Sequence, residues 1–302
     1  MTALLSSPDG QWILRRPPVT AISATANNLG REYRVLSALA GADVPVPQAL
    51  AFADAEEVDG RSVLVMSAVS GSPLTDSWPA GWPSSAGIRD VGFVTVDALA
   101  ALHRVDVDAV GLANFGRPVN YLERQVRRWR GQYERNRVRD LPQFGFLGRW
   151  LEANRPEETA PAIVHGDFHL DNCLIEPGPP VRVSAIIDWE LATIGDPLVD
   201  LGLLLALWGP ERATPIAMPK VQALTRVPGA PSRGELAGRY ATLTGRPTTA
   251  LRWYMVLALF KLAAIVEGAY ARFVNGLADD PWAESLGEDV PRLLADAALH
   301  VV

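Results

Sequence analysis

Residues 163–200, IVHGDFHLDNCLIEPGPPVRVSAIIDWELATIGDPLVD, limit what this chain can fold into more than any other stretch. They set His165, Asp167, His169, Asp171, Asn172, Asp188, Glu190, Asp196 and Asp200 around two apolar runs, 173–175 and 183–187, that read as short buried strands. Pro and Gly between the runs supply a turn, so the pair predicts a hairpin. Carboxylates beside buried strands are costly unless cations or strong hydrogen bonds meet them.

The remainder predicts a small strand-bearing part followed by a larger helical one. Residues 2–5 and 12–14 read as a hairpin around Ser7-Pro8-Asp9-Gly10, with Arg15 on the face of Ile13 and Arg16 on the other. Pro17 and Pro18 end it. Residues 31–39 carry Val35, Leu36 and Leu39 at helical spacing, 43–47 read as an extended connector, and 62–68 as a strand leading to a hinge near 69–73. The expected division is a first lobe over 1–69 and a second over 70–302. Residues 91–102 predict a helix ending in His103-Arg104, where basic groups favour a C-terminus. Pro-bearing 213–230 reads as a surface loop, and 251–270 as a buried helix.

Charge excludes some functions. A net charge of -6 argues against nucleic acid or an anionic membrane as the main partner. Residues 201–208 are too short to span a bilayer, and 251–266 are interrupted by Arg252 and Lys261, so both read as core helices. The start lacks a signal-peptide pattern, and a lone Cys173 suits a reducing compartment, so a cytoplasmic setting is expected. Seven arginines crowd 121–139; they are either a solvated helix face or a cradle for an anionic substrate.

Phosphoryl transfer to an alcohol needs a carboxylate to orient or accept the hydroxyl proton and metal-binding groups beside the nucleotide phosphates. Protein kinases supply the first from H-R-D-x-x-x-x-N. Residues 165–172, HGDFHLDN, keep that Asp-to-Asn spacing with Gly in place of Arg, and the hairpin returns the chain to Asp188, where kinases carry D-F-G. The stretch reads as a magnesium and nucleotide site. His165-x-Asp167-x-His169 could instead hold zinc, or the acids could merely cap turns, but no further zinc spacing completes the first option.

At these residues the sequence resembles the aminoglycoside phosphotransferase and choline kinase superfamily, closest to the branch found as the N-terminal part of some large acyl-CoA dehydrogenases. The likeness rests on 14–18 (LRRPP), 31–36 (REYRVL), 121–125 (YLERQ), 165–172, and DWE at 188–190 through GDPL at 195–198. It implies an α+β, two-lobed protein-kinase-like fold and an ATP- and Mg²⁺-dependent phosphotransferase acting on a small-molecule hydroxyl. Asp167 would be catalytic, with Asn172 and Asp188 holding Mg²⁺. Arg15, paired with Glu32, would touch the phosphates in place of the usual lysine. Met66 would lie beside adenine, with Ser67 and Val69 offering backbone hydrogen bonds. His165 would brace the loop, His169 pack beneath it and Asp200 bond its backbone. The branch suggests a hydroxy acid or hydroxyacyl-CoA, with Arg127, Arg128 and Arg130 near its anionic part. The family's Gly- or Ser-rich loop over the phosphates would precede Met1, so an upstream start or weak nucleotide affinity is expected. A kinase-like domain that binds nucleotide or a partner without turnover is the alternative.

Overall fold

A computed structural model of the protein describes residues 1–17, 28–58, 60–82, 87–278 and 281–301; Pro18, expected to end the second strand, lies outside them. Strands β1 (Thr2–Ser7) and β2 (Gly10–Arg15) form the expected hairpin, closed by the Ser7–Gly10 pair. Helix α1 (Leu29–Leu39) begins where the Asn28 side chain accepts the Arg31 N–H at 3.1 Å. Its spacing puts Leu29, Glu32, Val35, Leu36 and Leu39 on one buried face, so a carboxylate is carried inward with the apolar groups.

Strands β3 (Ala49–Ala53) and β4 (Val63–Ser67) complete an antiparallel sheet of order β1-β2-β4-β3. Strand β3 is absent from the sequence expectation because Ala-Leu-Ala-Phe-Ala has neither β-branched residues nor a clear polar face. Tyr33 of α1 stacks on Phe52 of β3 at 5.5 Å. The sheet, all drawn from residues 2–67, meets the rest through Ser72 and Ile175, which exchange backbone hydrogen bonds at 3.0 and 2.9 Å. Gly71 makes that approach possible: its φ is +112°, and an added Cβ would lie 2.7 Å from Ser184 Oγ.

The larger part holds α2 (Ile88–His103), α3 (Tyr121–Asn136) and α4 (Pro142–Ala153), then two hairpin-like pairs. Strand β5 (Ala162–Val164) pairs with β8 (Thr193–Gly195), and β6 (Cys173–Glu176) with β7 (Arg182–Ile186), all antiparallel. Helices α5 (Leu198–Leu207), α6 (Arg233–Thr244), α7 (Leu251–Val274) and α8 (Pro281–Ala298) follow. Helix α7 is the hub, packed by α3, α4, α5 and α8. It is long and apolar enough to cross a membrane by composition, yet 78% of its most apolar window is buried inside the fold. Phe260 stacks on Phe144, which stacks on Tyr133, at 4.0 and 3.9 Å, locking α7 to α4 and α3. Deleting such a ring costs about 3–5 kcal/mol, so α7 is a rigid mount.

One sequence expectation changes here. Residues 213–230 are not a surface loop, because Ala217, Gln222, Leu224 and Thr225 are buried and Gln222 bonds the segment after Asp167. Helix α2 ends at His103-Arg104 as expected, and His103 turns inward. It is buried, accepts or shares a proton with Tyr240 Oη at 2.7 Å, and lies 3.3 Å from Asp200, while burial pushes its pKa down.

Candidate active site

The segment between β5 and β6 forms a loop whose backbone is held from several sides. Asp200, in the first turn of α5, accepts the N–H of His165 at 2.7 Å and of Gly166 at 2.8 Å. His165 is fully buried against the edge of Trp189; its Nε2 reaches Ile187 O at 2.9 Å and its Nδ1 accepts the Asp167 N–H at 3.2 Å. One neutral tautomer satisfies both contacts, and burial favours that form by lowering the pKa. With both nitrogens on backbone groups, His165 is not available to a zinc ion. Among the described residues no group of three or more His, Cys, Asp or Glu is arranged to hold a metal.

The β6–β7 hairpin places the other two acceptor groups. Asn172 immediately precedes β6, Asp188 lies two residues after the end of β7, and Ile187 N–H, between them, donates to Asn172 O at 2.9 Å. The register thus sets Asn172 opposite Ile187, with Asp188 the next residue, so that both lie at the open end of the hairpin. Asn172 Nδ2 donates to the Asp167 carbonyl at 2.9 Å, which leaves its amide oxygen as an acceptor. Asp188 adopts φ 68° and ψ 63°, a left-handed conformation rare outside glycine and concentrated at functional sites. Oxygen donors of this kind suit a hard divalent cation.

Arg15, at the end of β2, joins the sheet to this hairpin. Its Nη1 lies 2.5 Å from Glu32 Oε1 and its Nη2 lies 3.4 Å from Asp188 Oδ1. Burial raises the Glu32 carboxyl to about 7 against the pull of Arg15, with Asp188 adding to the rise. Glu32 Oε2 is buried without a hydrogen-bond partner, which fits that rise. Met66 is buried opposite Ile13 and Ala49, and Val69 is half-buried just beyond β4. Ser67 differs from expectation in one respect: its N–H is spent on Gln48 O at 2.9 Å, so only its carbonyl can be offered to a ligand.

Sequence reasoning missed the group nearest Asp167. Lys261, in the middle of α7, donates to Asp167 Oδ1 at 2.9 Å and also to Gly166 O. His169 does not simply pack beneath the loop. Its Nε2 lies 3.6 Å from Asp167 Oδ2 and 3.3 Å from Asn172 Nδ2. Burial alone would raise the Asp167 carboxyl, but Lys261 and His169 outweigh it and hold it far below the usual carboxylate range. A lone lysine in an apolar helix was the available signal, and it reads equally as an interruption of a hydrophobic run.

The three arginines diverge. Arg127 and Arg130 are 3.9 Å from Glu123 and 2.7 Å from Glu152, in a small cleft between α3 and α4 that Arg155 also lines, and the structure does not bring them to Asp167. The cause is helical phase: Leu122, Val126, Trp129 and Tyr133 form the buried stripe of α3, and it turns these two toward α4. Arg128 lies over the Trp129 ring at 4.7 Å, and Lys261 Nζ is 5.8 Å from the same ring.

A model described as the phosphotransferase enzyme family matches residues 2–237. The chain belongs to that family. Acyl-CoA dehydrogenase family member 11 of Gallus gallus is 34% identical over 270 residues, covering 88% of this chain and 34% of the relative. The chain therefore spans about a third of the length of that relative. A crystal structure of a Ralstonia eutropha protein, provisionally described as an aminoglycoside phosphotransferase, superposes with a TM-score of 0.83 at 33% identity, covering 99% of this chain and 88% of that one. Aminoglycoside phosphotransferase APH(4)-Ia, solved with ADP and hygromycin B, shares the fold at a TM-score of 0.63 and 16% identity, over 100% of this chain and 93% of its own. The phosphotransferase family member described here thus has the α+β, kinase-like fold of aminoglycoside phosphotransferases.

Proposed function

We propose that this family member transfers the terminal phosphoryl group of ATP to the hydroxyl of a small molecule, with Mg²⁺ as cofactor. The observation that carries the reading is the placing of Asn172 and Asp188 at the open end of the β6–β7 hairpin, where Asn172 bonds the backbone carbonyl of Asp167 and Arg15 reaches Asp188. Residues 1–69 would hold the nucleotide and 70–302 the acceptor. Met66, the Ser67 carbonyl and Val69 would line the adenine, and Arg15, steadied by Glu32, would meet the phosphates. Asn172 and Asp188 would hold Mg²⁺, which when bound supplies charge neutralisation for the transferred group. Asp167, kept ionised, would orient the acceptor hydroxyl and take its proton. A cytoplasmic setting, where a free buried thiol such as Cys173 stays reduced, is part of the same reading.

The acceptor side supports a neutral or anionic molecule. Lys261 cancels the charge of Asp167, and Arg128 is an exposed cation beyond Trp129. A polycationic aminoglycoside would want the opposite polarity. The dehydrogenase relatives support a hydroxy acid or a hydroxyacyl-CoA thioester, whose anionic part Arg128 would meet. The test is ADP formation from Mg-ATP with a panel of hydroxy acids, their CoA thioesters, choline and sugars, in wild type and Asp167→Asn. Acceptor-dependent turnover that falls at least about 100-fold in Asp167→Asn supports the proposal. Nucleotide binding with no acceptor-dependent turnover would favour a binding protein instead.

A further inference from the structure

We infer that Lys261 is a positioning residue for this phosphotransfer, fixing the Asp167 carboxylate by one oxygen so that the other is left for the acceptor hydroxyl. The inference rests on the phosphotransfer reading above. Lys261 stands on α7, 94 residues from Asp167 in the chain, and its Nζ bonds Asp167 Oδ1 at 2.9 Å and the carbonyl of Gly166. These two contacts grip the loop at both the backbone and the carboxylate. Asp167 Oδ2 is left on the side of His169, 3.6 Å away.

The mount is rigid. Lys261 follows Phe260, whose ring is buried against Phe144, and its own side chain is only 9% exposed. An ammonium in such a place is costly to desolvate, and removing one partner of a buried ion pair costs about 3–5 kcal/mol when the other charge is left buried and uncompensated. Asp167 retains His169 nearby and is 30% exposed, so the loss here is smaller, and a purely structural Lys261 would show only as lost stability, with the folded protein still turning over at the wild-type rate. Positioning has a different consequence. A carboxylate free to rotate loses the near-attack geometry, and misplacement by about 1 Å can cost about 100-fold in rate.

The variants Lys261→Met and Lys261→Arg separate the two roles in the full chain, with Lys261→Gln as a second neutral variant should the methionine protein fail to fold. The expected result is a melting temperature lower by several degrees with the protein still folded, a KM for ATP within about threefold, and a kcat lower by about 100-fold in Lys261→Met, partly recovered in Lys261→Arg. A folded Lys261→Met or Lys261→Gln protein with kcat within about threefold of wild type overturns the inference. A crystal structure of the neutral variant gives a readout that needs no acceptor. Rotation of the Asp167 carboxylate supports the positioning role, and an unmoved carboxylate contradicts it. If wild type turns over no acceptor in the panel, the phosphotransfer reading fails separately, and the rotamer still decides whether Lys261 positions Asp167.

Discussion

Asp200 accepts the backbone N–H of His165 at 2.7 Å, across 35 residues of chain, and the same carboxylate takes the N–H of Gly166 with its second oxygen. One side chain in the first turn of α5 therefore fixes the backbone immediately before Asp167. His103, from α2, closes the arrangement at 3.3 Å from Asp200 Oδ2. Asp200→Ala removes both acceptors and leaves one buried and one partly buried N–H unpaired, so a loss of about 3 kcal/mol is expected. Denaturant unfolding measures it, and ADP formation should fall with it at temperatures where the variant is folded.

Gly166 must remain glycine. Its φ is +85°, and an added Cβ would lie 2.6 Å from the Leu191 carbonyl oxygen, a backbone atom that cannot swing aside. Gly166→Ala is expected to cost about 2 kcal/mol or more and to disturb the position of Asp167. Gly238→Ala, in the middle of α6 with open space at its Cβ, is the matched control. It should gain up to about 1 kcal/mol from helix propensity. Melting temperatures of the two proteins check the contrast.

Arg31 anchors α1 to the large lobe. Its Nη2 donates to Phe115 O at 3.0 Å and Ala192 O at 3.1 Å, with the guanidinium 4.1 Å from the Phe115 ring. The next residue is Glu32, so this anchor sets where Glu32 meets Arg15. Arg31→Ala should raise the KM for ATP about 10-fold while costing about 1–2 kcal/mol in stability. Steady-state kinetics against ATP, with unfolding on the same sample, tests both effects.

Glu32 gives a stability slope with pH. Its folded value of about 7 lies above the unfolded value of 4.5, so between them the native protein holds a proton that the unfolded chain has released. The contribution is fully present below about pH 4.5 and is lost as pH rises through about 7. Glu32→Gln removes this dependence. Relative to the variant, wild type should lose up to about 3 kcal/mol between about pH 4.5 and about pH 8, measured by urea unfolding at each pH.

Local patterns carried the parts of the fold and site that sequence could show. The β6–β7 hairpin lies between Asn172 and Asp188 in one short stretch, and the helical spacing of Val35, Leu36 and Leu39 fixed the face on which Glu32 lies. The rest is tertiary. Lys261 reaches Asp167 over 94 residues, His103 reaches Asp200 over 97, and Gln222 reaches Leu170 N–H over 52. Such contacts depend on how α2, α7 and the 213–230 segment dock, which hydrophobic periodicity does not encode. The arginines of α3 were ambiguous for a related reason. Periodicity marks their buried stripe but not which neighbour each flank faces, and only the docking of α4 turns Arg130 toward Glu152 and away from Asp167.

The claim that Asn172 and Asp188 form one site for Mg²⁺ and a nucleotide is tested most directly by the melting temperature with ATP, with and without Mg²⁺, in wild type and Asp188→Ala. A ligand at about 100 times its Kd stabilises the folded state by about 2.7 kcal/mol. The expected result is a rise of several degrees in wild type that needs Mg²⁺ and is absent in Asp188→Ala. An equal rise in both proteins, or none in wild type at saturating Mg-ATP, would contradict it.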